Sequence, residues 1–225
     1  MITNIIKYAV SIPEIDDATD IENSINIFEI FIEKIKKYNI KIDNFHILIP
    51  LIHAAIYYQK MSILQKYDKI NLKTIQMITS KKGGYTMLVM SKILYGEYEQ
   101  YYDTLIYELG HYIQLTNDVF DIYKDLQEGV KTMANQTDIF TFEAYYLDCY
   151  DKLIKLKILQ NNKLNNVKLL IYFIQIITTF HIRKIKNLNE KNYTILSRNI
   201  IVTDMEKPLV FLKFCIYALS NFSKL

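Results

Sequence analysis

The sequence predicts an all-α fold, and three observations predict it. Apolar residues make up 51% of the 225 positions and charged residues 23%, a balance that builds a core and excludes a disordered chain. Glycine occurs 5 times and proline 3 times, whereas an all-β chain needs turn residues every ~8–12 positions. The apolar side chains recur at helical rather than alternating spacing.

Taken in order, Ile21 to Tyr38 is predicted as an amphipathic helix. Ile25, Phe28, Phe31, Ile32 and Ile35 share one side, and Glu33, Lys34, Lys36 and Lys37 lie on the other. Pro13 suits a first turn or the turn before one. Phe45 to Lys66 is a second helical stretch, with Pro50 near its start, and Leu72 to Ser80 a third. Lys81-Lys82-Gly83-Gly84 is expected to stop or break that helix, since paired glycines are poor helix formers. Tyr85 to Tyr95 follows as a fourth helix.

Tyr98 to Gln127 is expected as one long helix with Gly129 as its C-terminal cap, then Phe140 to Leu159 as another. Gln160 to Asn166 is a polar loop, and Val167 to Lys186 is the most apolar helix. Beyond the polar connection at Asn187 to Asn192, Pro208 suits the first turn of a last helix ending near Phe222. The expectation is one all-α domain, residues 1–225, of about eight helices with no internal repeat.

Composition also narrows function. No Gly-rich phosphate fingerprint occurs, which sets aside Rossmann and P-loop chemistry. The formal net charge is +3 and the only arginines are Arg183 and Arg198, so no nucleic acid is expected as partner. Cys149 and Cys215 are too few for a disulfide framework or a four-cysteine zinc site, and a reduced, cytoplasmic protein is expected. The Leu169 to Phe180 run falls short of the roughly 18 apolar residues of a membrane span, so it is expected as a core helix and no span is expected.

The chemistry concentrates in Gly110 to Gly129, GHYIQLTNDVFDIYKDLQEG. Asn117, Asp121 and Asp125 follow at i, i+4 and i+8, so on a helix they form one stripe about 12 Å long. Gln114, Gly110 and Lys124 lie near that stripe, while Leu115, Val119, Ile122 and Leu126 take the opposite flank. Hard oxygen donors in a line suit Mg²⁺, which takes a few carboxylates and shares its remaining positions with water and substrate phosphates. Lys124 would add a point charge for phosphate oxygens. A solvated acidic face is the plain alternative for the stripe.

NDVFDIYKD, Asn117 to Asp125, resembles the second metal motif of class I terpene synthases, with Asp121 standing where that family usually has a hydroxyl residue. QLTN with Asp121, Asp125 and Gly129 is similar to the second motif of squalene and phytoene synthases. Asp118-x-x-Asp121 with Gln114 upstream is similar to that of chain-elongating prenyl diphosphate synthases. Asp16-Asp17-Ala18-Thr19-Asp20 fits the superfamily's first motif, DDxxD, though it lies close to the N-terminus; Asp16, Asp17 and Asp20 are equally good helix-capping residues. Lys81-Lys82-Gly83-Gly84 resembles the Lys-Thr-Gly segment of elongating enzymes and the helix break terpene synthases use to sense diphosphate, and Arg198 sits roughly where they carry an Arg-Tyr pair.

The resemblance implies a helical bundle of the class I isoprenoid synthase type, shortened at the N-terminus. It implies Mg²⁺ held by Asn117, Asp121 and Asp125 and by Asp16, Asp17 and Asp20. Lys124, Lys81, Lys82 and Arg198 would act on the diphosphate, with Gln114 and Asp118 against substrate. The expected reaction is ionisation of a prenyl diphosphate to a carbocation that cyclises or rearranges. Prenyl transfer, or a non-catalytic helical partner protein derived from the same fold, are the alternatives, and a homodimer is a compatible assembly.

Overall fold

The computed structural model describes residues 45–95, 100–161 and 164–187. The expected helix Ile21–Tyr38, the triad Asp16, Asp17 and Asp20, Arg198 and the helix after Pro208 lie outside the described residues. Among those described there are seven α-helices, two short 3-10 segments and no strand, as expected of an all-α chain. We label the helices α1 (Phe45–Met61), α2 (Leu72–Tyr95), α3 (Tyr101–Phe120), α4 (Ile122–Gln127), α5 (Met133–Gln136), α6 (Ile139–Ile154) and α7 (Asn165–Asn187). The 3-10 segments are Ser62–Lys66 and Lys157–Gln160.

Contacts group the chain into two compact units, residues 1–114 and 115–225, and the boundary falls inside α3. In the first unit α1 packs on α2, with Leu48, Ile52, Ile75 and Ile78 buried. Asn71 starts α2 by accepting a hydrogen bond from the Thr74 N–H, 2.9 Å, an Asx cap. Helix α2 then runs without interruption through Lys81-Lys82-Gly83-Gly84, where a stop was expected.

The reason is a close helix crossing. A Cβ on Gly83 would stand 2.7 Å from Gln114 Cβ and nearer still to the Gly110 carbonyl, and one on Gly110 would stand 2.6 Å from Met87 Cβ. A Cβ on Gly84 would enter the ring of Tyr107, 2.6 Å from Cζ. The intrinsic penalty of glycine in a helix, about 1 kcal/mol each, is outweighed by backbone-to-backbone packing that no larger residue permits. The crossing is flanked by an ion pair between Lys92 of α2 and Asp103 of α3, 3.0 Å.

The second unit holds the end of α3 with α4 to α7. Asp138 caps α6, its carboxylate accepting from the N–H groups of Phe140 and Thr141, 3.1 and 3.0 Å. Hydrogen bonding from Thr141 holds the Asp138 carboxyl below its ordinary value. Helices α6 and α7 pack together around Phe142, Tyr146, Ile171 and Ile176 and are joined by a Lys186–Glu143 ion pair. The apolar run Leu169–Phe180 lies in α7 as a core helix with one buried face: Ile171, Tyr172, Ile176, Thr178 and Thr179 are inside, and Leu170 and Phe173 are exposed.

Candidate functional site

Helix α3 delivers the motif segment, and buried apolar residues decide how it is turned. Leu115, Val119 and Ile122 are almost wholly buried, the flank expected of them. Thr178 of α7 donates a hydrogen bond to Thr116, 3.1 Å, and the Thr116 and Tyr146 hydroxyls share another of 3.2 Å. Phe120 packs against His181 with the rings tilted by 40° and their centroids 3.9 Å apart, and burial pushes that imidazole below its ordinary value. His181 packs there with its Nδ1 3.0 Å from the Ile177 carbonyl oxygen.

The expected single helix from Tyr98 to Gln127 begins at Tyr101 among the described residues and bends at Asp121, the residue between α3 and α4. Backbone bonding carries through the bend: the Asp121 N–H donates to the Asn117 carbonyl, 2.9 Å, and the Asp125 N–H to the Asp121 carbonyl, 2.8 Å. Asp121 and Asp125 thus remain one turn apart. Gly129 closes α4 at φ +69°, as its sequence position suggested. The Val130 N–H bonds back to the Asp125 carbonyl, 2.8 Å, and the Gly129 N–H to Leu126, 3.4 Å, the paired closure of a Schellman end. Asn135 pins the following loop through its amide to the Val130 carbonyl, 2.8 Å.

The structure sorts the predicted residues unevenly. Asp118 is 4% exposed. Asp121 and Asp125 are half-buried, whereas Asn117 and Lys124 are exposed. The inward carboxylate set is Asp118, Asp121 and Asp125, and Asn117 stands outside it. Burial, with the negative charges of Asp118 and Asp121, pushes the Asp125 carboxyl up to about 7 from an ordinary 3.8, and neighbouring Lys124 only partly offsets this. Gln114 lies one turn before Asp118 on α3 and is half-buried.

Lys81 and Lys82 belong to the first unit and sit in mid-helix, both half-buried. Lys81 lies over the rings of Tyr85 and Tyr107, 5.7 and 5.5 Å from their centroids, and Tyr58 stacks on Tyr85 at 5.6 Å. The Tyr107 phenol holds the Lys81 ammonium above its ordinary pKa. Periodicity and motif spacing missed this tyrosine surround, because Tyr58, Tyr85 and Tyr107 come from three different helices.

Among the described residues, no group of three His, Cys, Asp or Glu side chains is already arranged to hold a metal ion. The donor chemistry of Asp118, Asp121 and Asp125 nevertheless suits Mg²⁺, which is commonly held by one or two carboxylates with water and phosphate completing its shell, not by a protein cage. Also among the described residues, Ile47–Lys66 is a 20-residue stretch of mean hydropathy 1.3, long and apolar enough by length and composition to cross a membrane.

Compared with protein-family models, curated proteins and solved structures, the chain gives no significant match to any of them.

Proposed function

We propose that the chain is a Mg²⁺-dependent class I terpene synthase acting on a prenyl diphosphate. One observation carries the reading: Asp118, Asp121 and Asp125 lie on successive turns of a partly buried segment, where burial and the charges of Asp118 and Asp121 raise the Asp125 carboxyl. Like charges held together at the edge of a core destabilise the fold, and a divalent cation relieves that repulsion. When bound, Mg²⁺ would neutralise charge growing on a departing diphosphate. Asp121 and Asp125 would hold it from adjacent turns, Asp118 would brace it from the buried side, and exposed Lys124 would meet the diphosphate oxygens. Asp118-x-x-Asp121 and Asp121-x-x-x-Asp125 are also spacings of the prenyl-transferring enzymes that the segment resembles, so prenyl transfer is the alternative kept beside this reading.

Purified protein incubated with Mg²⁺ and geranyl, farnesyl or geranylgeranyl diphosphate should release diphosphate and form a hydrocarbon or terpenoid alcohol. Longer diphosphates or a head-to-head product would assign prenyl transfer instead. A second reading, a non-catalytic helical protein, is favoured by the uninterrupted α2 at Lys81–Gly84, where a diphosphate-sensing break was expected. Mg²⁺ with inorganic diphosphate separates the two. Thermal stabilisation at millimolar ligand supports a site, since a ligand bound only by the folded state must raise its stability; no stabilisation and no turnover support the non-catalytic reading.

A further inference from the structure

The tip of the α1–α2 hairpin carries an arrangement that the carboxylate segment does not use. From Lys60 to Lys73 the chain reads KMSILQKYDKINLK. Lys60, Lys66, Lys69 and Lys73 are all exposed, against the single acid Asp68. That leaves +3 on fourteen residues, which equals the formal net charge of the whole chain, so everything else sums to zero. Between the lysines, Ile63 (41%), Leu64 (36%), Tyr67 (60%) and Leu72 (39%) are exposed.

The helix feeding this tip is unusual as well. The stretch Ile47–Lys66 has a mean hydropathy of 1.3, yet only 11% of its most apolar window is buried within the protein. Leu48 and Ile52 are buried where α1 packs on α2, while Tyr57 near its end is exposed. Exposed aliphatic side chains ringed by lysine and tyrosine match a bilayer interface: the aliphatic groups enter the acyl boundary, tyrosine sits at headgroup level, and lysine stems lie along the surface with their ammonium groups on anionic lipid. A nucleic acid would be met with arginine, and the tip has none. Lys60 and Lys66 inside the apolar stretch favour lying on the membrane over spanning it.

We infer that the hairpin tip Lys60–Lys73 is a docking surface for an anionic phospholipid bilayer, with Ile63 and Leu64 inserting and Lys60, Lys66, Lys69 and Lys73 holding the headgroups. This surface is independent of the carboxylate chemistry and stands or falls separately from it.

Vesicle co-sedimentation of the full chain tests it. The protein should pellet with phosphatidylcholine vesicles containing phosphatidylserine, stay in solution with phosphatidylcholine alone, and dissociate as salt is raised. The pair Lys66→Ala and Lys69→Ala should weaken binding about 25-fold, at about fivefold per lysine. The pair Ile63→Ser and Leu64→Ser should weaken it more than tenfold while leaving the salt dependence unchanged. These side chains are exposed, so unchanged melting curves confirm that each variant is folded. Failure to pellet, equal binding to both lipids, or parental binding by either pair would overturn the inference. So would lysine-dependent capture by single-stranded RNA with no vesicle binding.

Discussion

Two regions of α3 and its neighbours break simple sequence rules, and they do so for opposite reasons. Around Gly83, Gly84 and Gly110 the sequence looks unfit for a helix, yet the structure uses each missing side chain to bring α2 and α3 into contact. Around Asp118, Asp121 and Asp125 the sequence looks like an ordinary amphipathic helix, yet the structure turns charge inward, and burial and repulsion raise Asp125. In the first region the irregularity is resolved by packing. In the second, burial and neighbouring carboxylates shift the Asp125 titration, and a shifted group of this kind is common where proteins bind ligands.

The widest separation between the regions should appear in activity. Asp121→Asn or Asp125→Asn should lower Mg²⁺-dependent diphosphate release about 100-fold or more, the scale of losing one electrostatic group on a developing charge. Asn117→Ala should cost less than about tenfold, because that side chain faces solvent. Steady-state kinetics on folded variants reads both. An Asn117→Ala loss equal to that of Asp125→Asn would count Asn117 among the ligands of the proposed Mg²⁺ site.

Stability should show the reverse ranking. Gly83→Val should destabilise by about 3 kcal/mol in denaturant titration, since the added carbons meet backbone and Gln114 rather than a yielding side chain. Gly129→Ala, where nothing lies within 4 Å and only the positive φ matters, should cost about 1 kcal/mol. Equal losses at the two glycines would remove the evidence that close approach is what Gly83 provides.

Asp125→Asn should stabilise the metal-free protein at pH 8, on the order of 1–2 kcal/mol once solvent screening of a partly exposed group is allowed for. The folded carboxyl titrates near 7 and the unfolded one near 3.8, so the folded state binds more protons between those values. Its favourable contribution is complete below about pH 3.8 and is lost as pH rises through about 7. The amide keeps the neutral form at every pH, so the gain over the parent should shrink to nothing on acidification. Melts across that range with and without Mg²⁺ check this; a parent that gains stability from pH 4 to 8 without Mg²⁺ would show that the repulsion is absent. The smallest effect belongs to Lys81→Met, which should lose about 0.5–1 kcal/mol from the contacts with Tyr85 and Tyr107.

Much of this architecture was legible beforehand. The helical character of Phe45–Met61, the burial of Leu115, Val119 and Ile122, and the closure at Gly129 follow from spacing and caps that act within a few residues. The continuity of α2 was not legible, because whether Gly83-Gly84 ends a helix depends on Gly110 and Tyr107 in a different helix. Nor was the difference in burial between Asn117 and Asp118, which sit about 100° apart on the helix and are distinguished only once the far side is packed.

The residues alone settled that this chain is helical, where several helices start and stop, and which flank of α3 is apolar, since those outcomes depend on interactions a turn or two long. Tertiary structure decided that adjacent glycines join two helices instead of interrupting one, and that Asp118, Asp121 and Asp125 are the carboxylates drawn inward. Both outcomes depend on the approach of a second element, a contact between positions far apart along the chain that local spacing does not encode.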